Sequence, residues 1–104
     1  MVARGRPAKA RGVRWERAVA QYLGSRTTRS VAPGVHEDRG DVVWPGHVIE
    51  CKDHSRWGRY ELMQWFEQTE RKAGDDDVPV LVIKRPQMPT SHGLVIVRLG
   101  DWID

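Results

Sequence analysis

The sequence predicts a single α/β domain, its elements running helix, three strands, helix, two strands. Three observations lead there. A chain of 104 residues and 11.9 kDa has room for one hydrophobic core. Its 39% hydrophobic and 30% charged residues are those of a globular protein, not of a disordered or fibrous one. Its apolar residues recur at helical spacing near the start, fall into short strand-like runs in the middle, and return to helical spacing before a last pair of strands.

Residues 1–12, with Gly5, Pro7 and Gly12 among arginine and alanine, read as a flexible basic arm, and 13–104 as the folded domain. Trp15, Ala18, Val19, Tyr22 and Leu23 share a helical face, and Gly24 ends that run. Segment 27–35 is rich in threonine and valine but holds Pro33 and Gly34, so a short or edge strand and a loop are expected there. Asp41–Trp44 and His47–Asp53 read as two strands joined at the Pro45-Gly46 turn. A second helix is expected over Tyr60–Ala73, with Leu62, Trp65, Phe66 and Thr69 on its inner face and Gly74 closing it. Val78–Lys84 is a continuous apolar strand, a pattern that calls for burial on both faces. Gly93–Leu99 is a further strand, and Asp101–Asp104 a helical stub.

Composition excludes several classes. An apolar run such as Val80–Ile83, which no other exceeds, falls far short of the roughly 20 residues of a membrane span. No apolar stretch of a secretory signal follows the basic N-terminus. The lone Cys51 rules out a disulfide framework and a cysteine-cluster zinc site, and a reducing cytoplasm is the expected setting. The net charge of +3 is unevenly spread. Arg4, Arg6, Lys9, Arg11 and Arg14 face no acid within residues 1–14, and the remaining twelve basic and fourteen acidic residues leave the body at −2. A basic arm on a slightly acidic body points to phosphate, hence nucleic acid; a solubilising tail is the plainer reading.

The chemistry is concentrated around Pro45-Gly46. Symmetric pairing about that turn sets Val42 opposite Ile49 and Asp41 opposite Glu50, with Cβ atoms about 4.5–5.5 Å apart. The twofold period of a strand then puts Lys52 on the same face as Glu50. Two carboxylates this close repel unless a cation lies between them, and hard oxygen ligands suit Mg²⁺. An adjacent ammonium is placed to orient a water or to stabilise charge on phosphorus. Glu16, at the margin of the first helix's apolar stripe, is a candidate third carboxylate. The plain alternative is a solvated Asp/Lys pair worth under about 1 kcal/mol.

Gly40-Asp41-Val42-Val43, followed nine positions after the aspartate by Ile49-Glu50-Cys51-Lys52, resembles the GD…ExK signature of the PD-(D/E)xK nuclease superfamily. Trp15-Glu16-Arg17 resembles the glutamate-bearing first helix of archaeal-type Holliday junction resolvases and their bacteriophage relatives. Leu62–Gln68 and Val80–Lys84 also look like small phage nucleases of this group. The resemblance covers roughly residues 12–100; Gly40 stands where the resolvase branch often has proline. It implies a restriction-endonuclease-like αβββαβ core, a central mixed sheet flanked by helices. It implies metal held by Asp41, Glu50 and the carbonyl of Cys51, with Glu16 direct or through water. Lys52 would position the attacking water, and a helix glutamine, Gln68 rather than Gln64, would assist.

The expected function is therefore Mg²⁺-dependent hydrolysis of DNA phosphodiester bonds, Mn²⁺ substituting, with no small-molecule cofactor and no membrane. The resemblance sharpens this to resolution of Holliday junctions in phage recombination, in the host cytoplasm, by a homodimer that cuts paired strands of branched DNA. Flap or restriction-type cleavage and a non-catalytic DNA-binding module are the alternatives. Arg29 and Arg39, with Arg56 and Arg59, surround the hairpin and join the arm as candidate phosphate contacts. His36, His47, His54 and His92 lack zinc-ligand spacing, and Asp75-Asp76-Asp77 lacks a calcium loop. Trp15 and Trp65 fit helix faces; Trp44 and Trp57 flank the hairpin, where packing or base stacking would use them.

Overall fold

The computed structural model describes residues 8–31 and 40–103. In chain order these form α1 (Ala8–Tyr22), α2 (Thr28–Val31), β1 (His47–Lys52), α3 (Arg59–Ala73), β2 (Val78–Ile83), a 3₁₀ turn at Thr90–His92, β3 (Leu94–Ile96) and α4 (Leu99–Trp102). The sheet runs β1-β2-β3, with β1 parallel to β2 and β3 antiparallel to it. A parallel pair needs a crossover, and α3 supplies it.

β2 explains the layering. Its alternate residues feed two cores, as a continuous apolar strand must. Val80 and Val82 join Trp15, Val19, Ala20, Val42, Ile49 and Cys51 on the α1 side. Leu81 and Ile83 join Phe66, with Leu62, Trp65 and Ile96 packed around them, on the α3 side. The Trp15 indole N–H donates to the Val82 carbonyl at 3.2 Å, tying α1 to the central strand. The chain is thus an α/β domain with a mixed sheet between helices, as expected of a restriction-endonuclease-like core.

Several local expectations are corrected. Lys9 and Arg11 lie on α1, so the helix begins inside the segment read as a flexible arm; Arg4 and Arg6 lie outside the described residues. The strand expected over 27–35 is a helical turn at Thr28–Val31, with 32–35 outside the described residues. Thr27 both pairs and caps: it bridges Val42, and its hydroxyl accepts from the Ser30 amide and its carbonyl from the Ser30 hydroxyl, an N-terminal cap that turns the chain into a helix after one bridge. The strand expected at Asp41–Trp44 is reduced to isolated bridges, Gly40 and Val42 to Ile49 and Thr27 to Val42. The Val42–Ile49 register is the one expected, and the Pro45-Gly46 turn is present, with the His47 amide donating to the Trp44 carbonyl at 3.0 Å. The final strand is shorter than expected, Leu94–Ile96, and the terminal helical stub begins earlier, at Leu99.

Candidate active site

Gly40 is the hinge on which the site is built. Its φ is +77°, and a Cβ there would lie 2.7 Å from the Ile49 carbonyl oxygen and 2.8 Å from the Ile49 nitrogen. Only glycine lets the backbone approach β1 this closely. The buried Thr28 hydroxyl donates to the Gly40 carbonyl at 2.7 Å, and the Thr28 amide donates to the Asp41 carbonyl at 3.0 Å, so α2 anchors the segment from behind. The Asp41 amide in turn donates to the Ile49 carbonyl at 2.6 Å.

The Asp41 side chain then takes over from the ladder. Its Oδ2 accepts from the Cys51 amide at 2.8 Å, which seats the carboxyl on the open edge of β1 between Glu50 and Lys52. Burial and the Glu50 carboxylate push Asp41 up to about 7; the Cys51 amide opposes this, Glu16 adds to it, and Lys72 opposes it. Burial also raises the Cys51 thiol, and Asp41, Glu16 and Glu50 each add to that rise. Three carboxylates therefore converge around one residue of β1.

Each of the other two acids is buried, 7% exposed, and carries a cation. Glu16 of α1 accepts two bonds from Arg29 of α2, Nε to Oε1 at 3.1 Å and Nη2 to Oε2 at 3.2 Å. That pairing raises the Arg29 guanidinium, against the cost of burying it. Glu50 Oε2 accepts from Lys72 of α3 at 3.0 Å. Lys52, two residues beyond Glu50, shares its sheet face and lies over the Trp65 ring, its Nζ 5.8 Å from the centroid. His54 and Trp57 crowd the same ring, at 4.8 and 6.1 Å between centroids.

The structure thus brings Asp41, Glu50, Glu16, Cys51 and Lys52 to one end of β1. Gln68 is exposed and lies one turn before Lys72 on α3, with no side-chain hydrogen bond to the acids among the described residues, whereas Gln64 donates to the Tyr60 hydroxyl at 3.0 Å. Lys9 and Arg14 are exposed on α1 and Arg11 is half-buried there; Arg39 lies outside the described residues. Arg29, read from sequence as a phosphate contact, is engaged by Glu16. Sequence reasoning missed Lys72 and Thr28. Lys72 had a signal, since it stands three residues beyond Thr69 and prolongs the inward stripe of α3. Thr28 had none, because its partner is a backbone carbonyl far along the chain.

Among the described residues no three His, Cys, Asp or Glu side chains form a metal cage by themselves. The donor chemistry nonetheless fits a hard divalent cation. Three carboxylates meet two basic partners, and Asp41, whose carboxyl is raised by burial and by the Glu50 charge, has no ion pair among the described residues. The family model described as phage putative PDDEXK endonuclease matches residues 7–99. The chain belongs to this family. Neither curated proteins nor solved structures gave a match to this PDDEXK chain. The matched stretch contains Asp41, Glu50 and Lys52. Membership gives nuclease chemistry as the class of activity and implies DNA as the class of substrate. No described helix of the PDDEXK chain is long and apolar enough to cross a membrane.

Proposed function

We propose that the chain is a divalent-metal-dependent DNA endonuclease, Mg²⁺ being the natural ion and Mn²⁺ a substitute. The observation that carries this reading is the Asp41 carboxyl seated 2.8 Å from the Cys51 amide, at the strand that bears Glu50 and Lys52. Asp41, Glu50 and the Cys51 carbonyl would hold the ion. When bound, it supplies positive charge to a phosphate oxygen and lowers the pKa of a water. Lys52 presents an ammonium at the mouth of the site, braced on Trp65, and orients the attacking water. Gln68, beside Lys72, assists from α3. Glu16 shapes the field of the site from α1, held by Arg29.

The sharper form of the proposal is a Holliday junction resolvase of phage recombination, acting in the host cytoplasm as a homodimer on branched DNA. On this reading the substrate is recognised by DNA shape rather than by a base sequence. Support for a dimer comes from β3, a sheet-edge strand with Leu94 and Val95 exposed, and from the exposed Leu99, Trp102 and Ile103 beside it. The basic residues of α1 and the segment before it, from Arg4 to Arg14, with Arg39, would contact phosphate. Incubation of a labelled four-way junction with Mg²⁺ or with EDTA tests the reading. Metal-dependent nicks, absent in Asp41→Ala and Glu50→Ala, are the expected result. Binding without cleavage by the unaltered protein would replace the enzyme with a DNA-binding module, and equal cutting of plain duplex would remove the preference for junctions.

A further inference from the structure

The two basic partners of the acidic cluster hold their acids differently. Arg29 meets Glu16 through two parallel bonds, 3.1 and 3.2 Å, the planar fork of a guanidinium matched to both carboxylate oxygens. This pair joins α1 to the turn that anchors Gly40 and Asp41, and it uses both oxygens of Glu16. Lys72 meets Glu50 through one bond to Oε2 at 3.0 Å, from a flexible stem whose side chain is 33% exposed. An ammonium is a compact, strongly hydrated point charge, and water can receive it.

We propose that Lys72 is the metal-free site's own counter-ion for Glu50, that a divalent cation displaces it, and that Arg29 stays on Glu16 in both states. The inference rests on the proposed metal site and deepens it. Glu50 is 7% exposed, and an uncompensated carboxylate at that depth is costly, so the site needs a resident cation before the metal arrives. Lys72 supplies one on the helix that packs against β1, and its exposed flank gives it an exit. Metal and ammonium then compete for one carboxylate, and the apparent metal affinity is lowered by the fraction of molecules in which Lys72 occupies it. Glu16, with both oxygens engaged, acts on the metal through its charge and not as a direct ligand.

Amine labelling with acetic anhydride, read by mass spectrometry across a Mg²⁺ titration and repeated with Ca²⁺, tests this on the unaltered protein. Lys72 should become several-fold more reactive as metal is added, following the calorimetric binding curve, while Lys84 on the α1 side stays constant. In parallel, Lys72→Met should bind the metal about tenfold more tightly if Lys72 occupies Glu50 nine times in ten, and Lys72→Arg should not. Arg29→Gln removes the same charge from the neighbouring acid, so an equal gain there would mean a general field effect and overturn the competition. Metal binding that needs Asp41 and Glu50 but leaves Lys72 labelling unchanged overturns this inference alone. Metal binding indifferent to Asp41→Asn and Glu50→Gln overturns the proposed site itself. Should Lys72→Met fail to fold, the labelling curve of the unaltered protein decides.

Discussion

Asp41 carries the clearest consequence at the scale of single residues. Its carboxyl is raised to about 7 by burial and by the Glu50 charge, so the folded state holds a proton that the unfolded chain releases near pH 4. Between those values the native state binds more protons, and stability must fall as pH rises. The metal-free protein should therefore lose thermal stability from about pH 4 to about pH 7, as far as this group governs it. Asp41→Asn, which stays neutral while retaining an oxygen for the Cys51 amide, should flatten that loss and be the more stable protein at pH 8. Scanning fluorimetry of both proteins in EDTA across this range checks it. A slope unchanged by the substitution would mean that Asp41 is already ionised at low pH. Divalent metal should raise the melting temperature of the unaltered protein more at pH 8 than at pH 5, because the cation and the proton compete for one carboxyl.

At the scale of elements, the loop that carries Asp41 behaves as a part fitted to β1 rather than as a strand. Gly40 and Gly24 make a controlled comparison. Both have positive φ, +77° and +72°, but a Cβ at Gly40 meets the Ile49 backbone at 2.7 Å while one at Gly24 meets nothing within 4 Å. Gly24→Ala should cost only the left-handed penalty, about 1 kcal/mol. Gly40→Ala should exceed the roughly 1–3 kcal/mol of a strained backbone and pull Asp41 off the Cys51 amide as well. Urea denaturation separates the two, and equal losses would refute the close-approach argument. The same contrast explains what the sequence made legible. β2 and α3 were readable because one period governs each of them: Val78–Ile83 is apolar without a break, and Leu62, Phe66, Thr69 and Ala73 recur at helical spacing. The Val42–Ile49 register was readable because a two-residue turn fixes it. The turn at Thr28–Val31 was not, since Thr27 pairs with Val42 and also caps the turn, and composition does not show where pairing gives way to helix. Of the site, Glu50 and Lys52 were legible as a pattern along one strand, Asp41 through the register set by the turn, and Glu16 as the margin of a helical stripe. Lys72 was legible only as a place on the inward stripe of α3, its acid being fixed by the crossover, and the anchoring Thr28 was not legible, because it meets the site through the return of the chain from α2.

At the scale of the whole molecule, an exposed apolar stretch lies on an edge of the sheet and the short helix that follows it. Lys9 and Arg14 are exposed on α1, while Leu94, Val95, Leu99, Trp102 and Ile103 form one run of exposed apolar side chains late in the chain. β3 is the outer strand of a three-stranded sheet, and Val95 is 63% exposed there, with Leu99 at 77% and Trp102 at 72% on α4. An open sheet edge that is also apolar is a template for another strand. The proposed dimer has a natural seam here, since two copies of a three-residue strand can pair antiparallel about a twofold axis through the middle residue, Val95. A lysine at the centre of that seam would face its own symmetry mate, placing like charges across the axis. Val95→Lys should therefore shift the protein from dimer to monomer in sedimentation velocity while leaving its circular dichroism unchanged, because Val95 is exposed and its loss opens no core cavity. The monomer should still nick a junction, since each acidic cluster is assembled within one chain. It should lose the paired cuts that release two duplexes, so nicked intermediates would accumulate on the gel. Paired cutting by a variant shown to be monomeric would break the link between the β3 edge and resolution. A dimer that survives the substitution would move the seam elsewhere on the surface.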